Sequence, residues 1–486
     1  MSTYIGIDLG TSGLKTLLVA ADGSILAENT QTYPVSYPHP GWSEQNPEDW
    51  YAVALRGLKE LLAGQDKSCV KGISFGGQMH GLVALDEKDN VIRPAILWND
   101  GRTEEETKYL NEVVGKDKLS AWTGNIAFAG FTAPKLLWLK KHEPENFARI
   151  SKIMLPKDYL AYRLSGAFCT DLSDASGMLL LDVKNRRWSP EMLQLVGMSE
   201  AQLPKLHESY EVVGMLKPEI ADMVGLKSVR VIVGAGDNAA AAVGTGVVGE
   251  GGCNISLGTS GTLFVSSAEY KEDKVNALHS FCHADGGWHL MGCILSAASC
   301  NSWWVNGILQ SDDYKKEEAG LDECLGKNDV YFLPYLMGER SPHNDVTARG
   351  AFIGMRLDTT RGQMTLAVLE GVAFALRDCM EATKKNGAKI ARTKLCGGGA
   401  KSKLWRKIVA NVMNMPVDIP QTEQGPGFGA AMLAMVGCGE YASVQEAASA
   451  IVRVKETVLP DEKTAADYEN RYRHFTKLYP ALKGLF

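Results

Sequence analysis

The sequence predicts an α/β protein made of two related domains around a central cleft. Three observations predict it. Short β-prone runs alternate with helix-like segments, one glycine-rich turn recurs almost half a chain later, and a glycine-rich stretch precedes the second copy. Residues 8–13 read DLGTSG and residues 256–261 read SLGTSG. Each is preceded by β-prone residues (4–7 and 253–255) and followed by more (14–19 and 262–265), so each copy is expected to be a hairpin turning at LGTSG. The boundary is placed in GTGVVGEGG, residues 244–252, giving domains 1–246 and 247–486.

The elements follow in order. Residues 4–8 and 14–20 are apolar and β-prone, and an Asp22-Gly23 turn returns the chain into 24–28. Asn46-Pro47-Glu48-Asp49 has the composition of a helix start: a capping side chain, proline at the first position, acids in the first turn. Leu55, Leu58, Leu61 and Leu62 give that helix an apolar face. Residues 71–75 form another strand, ending in GGQMHG. Residues 229–233 are a strand leading into GAGDN (234–238), and the small residues after Asn238 predict a tightly packed helix. CGGGA (396–400) precedes a helical segment at 403–412, and QGPGFG (424–429) marks another close helix approach, read as packing. Residues 461–483 read as a solvated helix of mixed charge.

Composition excludes several functions. The chain of 486 residues carries a formal charge of −6 without a basic stripe, so nucleic acid is not an expected partner. No apolar run approaches the ~20 residues of a membrane span. Ten cysteines are scattered without a C-x-x-C pair, and the start MSTYIGIDLG is not a signal peptide; a cytoplasmic protein with reduced thiols is expected.

Turns of Gly, Thr and Ser after a strand expose N–H groups and hydroxyls and form anion-binding concavities. Two of them across a cleft would hold the phosphates of ATP; either alone also reads as a plain hairpin turn. Residues 10–16 lack the spacing of the G-x-x-x-x-G-K-[ST] loop. The copies differ at Asp8 against Ser256. A carboxylate facing a polyphosphate needs a cation between them, which makes Asp8 the candidate Mg²⁺ residue, holding the ion through water. Lys15 reads equally as a phosphate contact or a solvated strand residue. Asp237, at a strand end, reads as a base for a sugar hydroxyl or as a helix cap. The Gly397–399 triplet suits adenosine or a tight turn. His279, Cys282, His283 and His289 supply one thiolate, which makes them poor zinc ligands and better read as satisfied or exposed side chains.

Together the DLGTSG and SLGTSG turns, GAGDN and GGGA resemble the FGGY carbohydrate kinases, of the sugar kinase, heat-shock chaperone and actin superfamily. Residues 130–142 (GFTAPKLLWLKKH) and 350–370 (GAFIGMRLDTTRGQMTLAVLE) resemble that family's signatures, and the likeness runs from Tyr4 to about Gly439. QMHG (78–81), WNDGR (98–102), LPKDY (155–159) and GERSPH (338–343) are most similar to the bacterial branch acting on D-xylulose. The resemblance implies two actin-like, ribonuclease H-like ATPase domains, and transfer of phosphate from ATP to D-xylulose, giving D-xylulose 5-phosphate. It implies that Asp237 is the catalytic base and Asp8 serves Mg-ATP chemistry. It places Met79, His80 and Asn238 on the sugar, and Thr11, Ser12, Lys15, Thr259, Gly398 and Gly399 at nucleotide-loop positions. Glycerol kinases of the family carry Arg-Glu where this chain has Met79-His80, which counts against glycerol. Gluconate kinases also carry Met-His, so gluconate and ribulose stay open as substrates. A homodimer is compatible with the family.

Overall fold

The computed structural model describes residues 1–422 and 424–486. Strands β1 (Thr3–Leu9), β2 (Gly13–Ala20) and β3 (Ile25–Thr32) form an antiparallel meander with Asp8 opposite Lys15. Helix α1 (Pro47–Leu61) then crosses over to β4 (Val70–Gly77), which pairs parallel to β1. It begins as its sequence requires: Asn46 Oδ1 accepts the Glu48 N–H at 3.2 Å, and Pro47 fills the first helical position, where no N–H is needed. Leu58 and Leu61 are buried with Trp50, Val53 and Ala54; Leu55 is half-buried. Strands β5 (Val212–Met215) and β6 (Arg230–Ile232) complete the order β5-β6-β4-β1-β2-β3, and Ala235–Gly236 extends the pairing along β4 against Gly76–Gly77. Between β4 and β5 lie helices α2 (Thr132–His142) and α3 (Pro156–Ser165).

The second sheet repeats this plan. Strands β7 (Cys253–Leu257), β8 (Gly261–Ser267), β9 (His279–Cys282), β10 (Trp288–Ile294), β11 (Thr393–Cys396), β12 (Val417–Pro420) and β13 (Val454–Val458) run in the order β9-β10-β8-β7-β11-β12-β13. β7 and β8 form the hairpin, β10 adds antiparallel to β8, β11 parallel to β7, β12 parallel to β11, and β13 antiparallel to β12. Each of these pairings has its counterpart in the first sheet, so the echo of LGTSG is the visible part of a duplicated six-strand topology.

Helix α4 (Asp237–Gly244) follows the first set of strands. In the second half, α5 (Arg361–Lys385) and α6 (Lys403–Met413) cover the sheet, and α7 (Gly425–Cys438) follows β12. α7 packs on α4, β1 and β4 of the first sheet. The contact is between backbones. A methyl group on Gly6 would stand 1.9 Å from the Gly427 carbonyl oxygen, and one on Gly429 would stand 1.8 Å from that of Ala240. The small residues expected to mark tight helices are therefore required by this one crossing. Among the described residues no helix is long and apolar enough to cross a membrane.

One expectation needs correction. Residues 461–483 are not a single solvated helix. α8 (Glu462–Phe475) and a short helix at Leu478–Leu482 share the segment, and α8 buries Ala465, Tyr468, Arg471, Tyr472 and Phe475. The Tyr468 hydroxyl donates to Glu370 at 2.8 Å, and Arg471 pairs with the same carboxylate. The stripe at 465, 468, 472 and 475 has helical spacing, but its tyrosines and Arg471 read as polar.

The α4–α7 contact yields a stability prediction. Gly429→Ala should lower the unfolding free energy by about 1–3 kcal/mol, because a buried methyl cannot be fitted without moving a helix; urea unfolding measures it, and an unchanged midpoint would contradict the close approach.

Candidate active site

The first LGTSG turn leaves β1 just beyond Asp8, and its carbonyls are turned into the protein. Tyr33 donates to the Gly10 carbonyl, and Gln45 Nε2 donates to that of Thr11 at 2.7 Å. Gln45 is held in turn by Trp50 Nε1 (3.1 Å) and Gln78 Nε2 (3.0 Å), and the Gln78 N–H donates to the Leu9 carbonyl at 2.8 Å. Trp98 Nε1 donates to the Thr11 hydroxyl at 2.9 Å. The Thr11 and Ser12 N–H groups have no acceptor among the described residues. The second turn is arranged alike. Ala297 N–H and Ser299 Oγ donate to the Thr259 carbonyl at 2.9 and 2.7 Å, and Ala298 N–H to that of Gly258 at 2.8 Å, while the Gly258, Thr259 and Ser260 N–H groups donate to nothing described. Two topologically equivalent turns thus offer unpaired N–H groups with their carbonyls withdrawn, the arrangement that binds anions.

Thr259 also lines a cavity of about 720 Å³ with Gly258, Gly398, Gly399, Ser402 and Trp405, a size that suits a nucleoside. The glycine triplet does not open the α-helix directly: Gly398–Lys401 form a 3₁₀ turn, and Ser402 caps α6, accepting the Trp405 N–H at 3.0 Å. Gly397 has φ +88° and lies against the Leu257 carbonyl. A methyl at Gly399 would meet Leu257 and Trp405 at 2.8 Å, whereas one at Gly398 would meet nothing within 4 Å. Gly398 is therefore free of protein packing and bare toward the cavity. A larger cavity, about 850 Å³ beside Asp378 and Tyr472, contains none of the expected site residues.

Asp237 is the first residue of α4, with Gly236 in the capping position. Its Oδ1 accepts the Asn238 N–H at 2.7 Å and Asn238 Nδ2 at 3.1 Å, leaving Oδ2 without a partner among the described residues. One oxygen is thus engaged locally and the other is available. Burial pushes the Asp237 carboxyl up to about 6, against the stabilising Asn238 N–H. Asp8 is pushed up to about 7, first by burial and then by the charge of Asp237, with Lys15 opposing. The two carboxylates are therefore neighbours in a poorly solvated cleft. The donors there are oxygen only, which fits a hard divalent cation. Among the described residues no three His, Cys, Asp or Glu side chains converge as a metal cage. Lys15 Nζ contacts Gln424 and lies 3.1 Å from Glu28, so its ammonium is already engaged.

Met79 and His80 follow β4 and sit beside Asp237. Met79 is buried, its Sδ 3.9 Å from Asn238 Nδ2. His80 has φ +70°, a left-handed conformation that a β-carbon disfavours. Its carbonyl is held by Lys135 Nζ at 2.8 Å and Thr132 Oγ1 at 3.1 Å, both from α2. Its Nδ1–H donates to the Gly177 carbonyl at 2.8 Å, and the ring fits only because residue 177 lacks a β-carbon, which would stand 2.2 Å from Cε1. Burial, then the Lys135 and Arg340 charges, lowers His80 to about 3, so the ring is neutral and Nε2 is an acceptor. Phe131 packs 4.7 Å from the ring and Phe281 6.4 Å.

Tyr33, Gln45, Lys135 and Gly177 were not legible as site residues. The one available signal was a lysine placed among the apolar residues of 130–142. The histidines expected to be satisfied or exposed are all buried. His283 bonds the Val247 carbonyl and the Ala284 N–H, each at 2.9 Å. His289 is buried and stacks 4.0 Å from Phe264, so it is not exposed.

Family models agree with this geometry. Residues 3–244 match the N-terminal domain, and residues 253–438 the C-terminal domain, of the FGGY family of carbohydrate kinases. The chain is 43% identical to the xylulose kinase of Escherichia coli K12 over 99% of both chains. It superposes on the crystal structure of a "xyloylose kinase" from Brucella ovis with TM-score 0.95 and 41% identity, covering 100% of both. Against gluconate kinase from Lactobacillus acidophilus the TM-score is 0.94 at 26% identity, over 99% and 98% of the two chains. The duplicated actin-like ATPase sheets, the paired turns and full-length similarity to sugar kinases make this chain a member of the FGGY family of carbohydrate kinases.

Proposed function

We propose that this protein phosphorylates D-xylulose with ATP, that Asp237 is the base, and that it does so in the cytoplasm. The observation that carries this reading is the free Oδ2 of Asp237, held among Met79, His80 and Asn238 and beside Asp8. Asp237 Oδ2 takes the proton of the attacking sugar hydroxyl as the oxygen closes on phosphorus. His80 Nε2 and Asn238 Nδ2 orient the other hydroxyls, and Met79 excludes water behind them. Thr11 and Ser12 from one turn and Thr259 from the other give N–H groups and hydroxyls to the phosphates, while Gly398 and Gly399 leave room for adenosine. When bound, Mg²⁺ supplies charge neutralisation for the phosphates, and Asp8 is the residue that would hold it, through water. On this reading residues 1–246 hold the sugar and the base, and residues 247–486 hold the nucleoside. The names of the similar kinases supply the choice of D-xylulose. A sugar acid is the second reading: Arg340 stacks 5.1 Å over Phe128, its charge acts on His80, and it forms no salt bridge among the described residues, so it suits a carboxylate.

Coupled detection of ADP with D-xylulose, ribulose, gluconate, glycerol and fuculose tests the substrate. The highest kcat/KM should fall on D-xylulose, and a preference for gluconate would transfer the reading to the sugar acid. Asp237→Asn should cost about 10²–10⁴-fold in kcat, and less than roughly tenfold would remove Asp237 from the role. Because the base works ionised, wild-type kcat/KM should be full above the carboxyl's pKa of about 6 and fall as pH drops through it. Asp8→Asn should raise the Mg²⁺ needed for half-maximal rate by about 10–100-fold while sparing the sugar KM; a rise in the sugar KM alone would overturn the metal assignment.

A further inference from the structure

Residues 155–159 (LPKDY) take no part in the site above, yet they lie directly behind Asp237. Lys157 is fully buried near the start of α3, its stem against Gly77, where a methyl would stand 2.6 Å from Lys157 Cβ. Gly77 is the strand partner of Gly236, the residue before Asp237. Lys157 Nζ lies 2.6 Å from Asp158 Oδ1, 2.8 Å from Asp171 Oδ1 and 3.6 Å from Asp174 Oδ2, all with wholly buried side chains. One ammonium faces three carboxyls. Among the described residues neither Asp174 oxygen has a hydrogen-bond partner, and burial, then the neighbouring carboxylates, Asp237 among them, push its carboxyl well above the usual range against the Lys157 charge. A buried charged cluster of this kind adds little net stability compared with apolar packing. What it does provide here is direction. Asp171 Oδ2 accepts the Ser173 N–H at 2.8 Å and the Ser173 hydroxyl; Ser173 Oγ in turn accepts the Gly236 N–H at 3.1 Å.

We propose that Lys157, Asp171 and Ser173 form a positioning chain for the base: the buried ammonium fixes Asp171, Asp171 fixes Ser173, and Ser173 holds the Gly236 peptide that sets where the Asp237 carboxylate points. The proposal rests on Asp237 being the base. Ser209 supplies a side-chain control, since its hydroxyl donates to the same Asp171 Oδ2 at 2.7 Å and is equally buried, but the Gly236 N–H goes to Ser173; the Ser209 carbonyl, which accepts the Gly234 N–H at 3.1 Å, is kept in an alanine variant.

Ser173→Ala and Ser209→Ala each remove one hydrogen bond from Asp171, and Ser173→Ala also leaves the Gly236 N–H unpaired, so a merely structural role predicts different stabilities but equal kcat in the folded enzymes. The positioning chain predicts that Ser173→Ala lowers kcat about tenfold or more with both KM values within about twofold, while Ser209→Ala stays near wild type. Ser173→Thr, which keeps the hydroxyl, should recover most of the loss. Equal kcat in the two alanine variants, or a loss in Ser173→Ala carried by the sugar KM, overturns the chain. If Ser173→Ala does not fold, Asp171→Asn against Ser209→Ala gives the same comparison. Asp237→Asn is assayed alongside: if it retains turnover, the base assignment falls and the chain with it; if it is inactive while Ser173→Ala keeps full kcat, only the chain falls.

Discussion

The cleft depends on a single packing constraint, the backbone-to-backbone crossing of α4 and α7. The two helices hold matching places in the duplicated halves, each following its own run of sheet strands. They meet where Gly429 lies on the Ala240 carbonyl and Gly427 on Gly6 of β1. A side chain at Gly429 would push α7 away from α4, and one at Gly6 would push α7 away from β1. Because α7 starts beside Asp8 and α4 starts with Asp237, their close approach also fixes the relation between the two carboxylates. Packing density here is thus a condition of the chemistry as well as of stability.

The electrostatics of the cleft follow from that closeness. Burial raises both carboxyls well above the usual carboxylate range, and the charge of Asp237 raises Asp8 further. A carboxyl raised to about 6, as at Asp237, stays ionised at neutral pH and accepts a proton more readily than an ordinary aspartate. The nearby lysines are engaged elsewhere: Lys135 on the His80 carbonyl, Lys157 in its carboxyl cluster and Lys15 on Glu28. The unpaired N–H groups of the two turns are the groups suited to an anion, because their dipoles need no rearrangement when a ligand arrives.

The sequence was informative where a function needs a local pattern. The LGTSG echo required only short-range comparison, because a tight turn with free N–H groups is written in consecutive residues. The α1 start was readable for the same reason, since capping, proline and first-turn acids act within four residues. By contrast α8 reads as solvated although it buries tyrosines and Arg471, because Tyr468 and Arg471 meet Glu370, and Tyr472 meets Asp378, on a helix distant in sequence.

The sequence by itself determined the hairpins, the duplication and the candidate carboxylates, all of which are set by backbone geometry over a few residues. Only the tertiary structure decided that Asp8 and Asp237 are neighbours, that His80 is neutral and backed by Lys135 and Gly177, and that α7 lies on the first sheet. Those facts depend on burial and on contacts between residues tens to hundreds of positions apart, where desolvation acts and no local spacing records it.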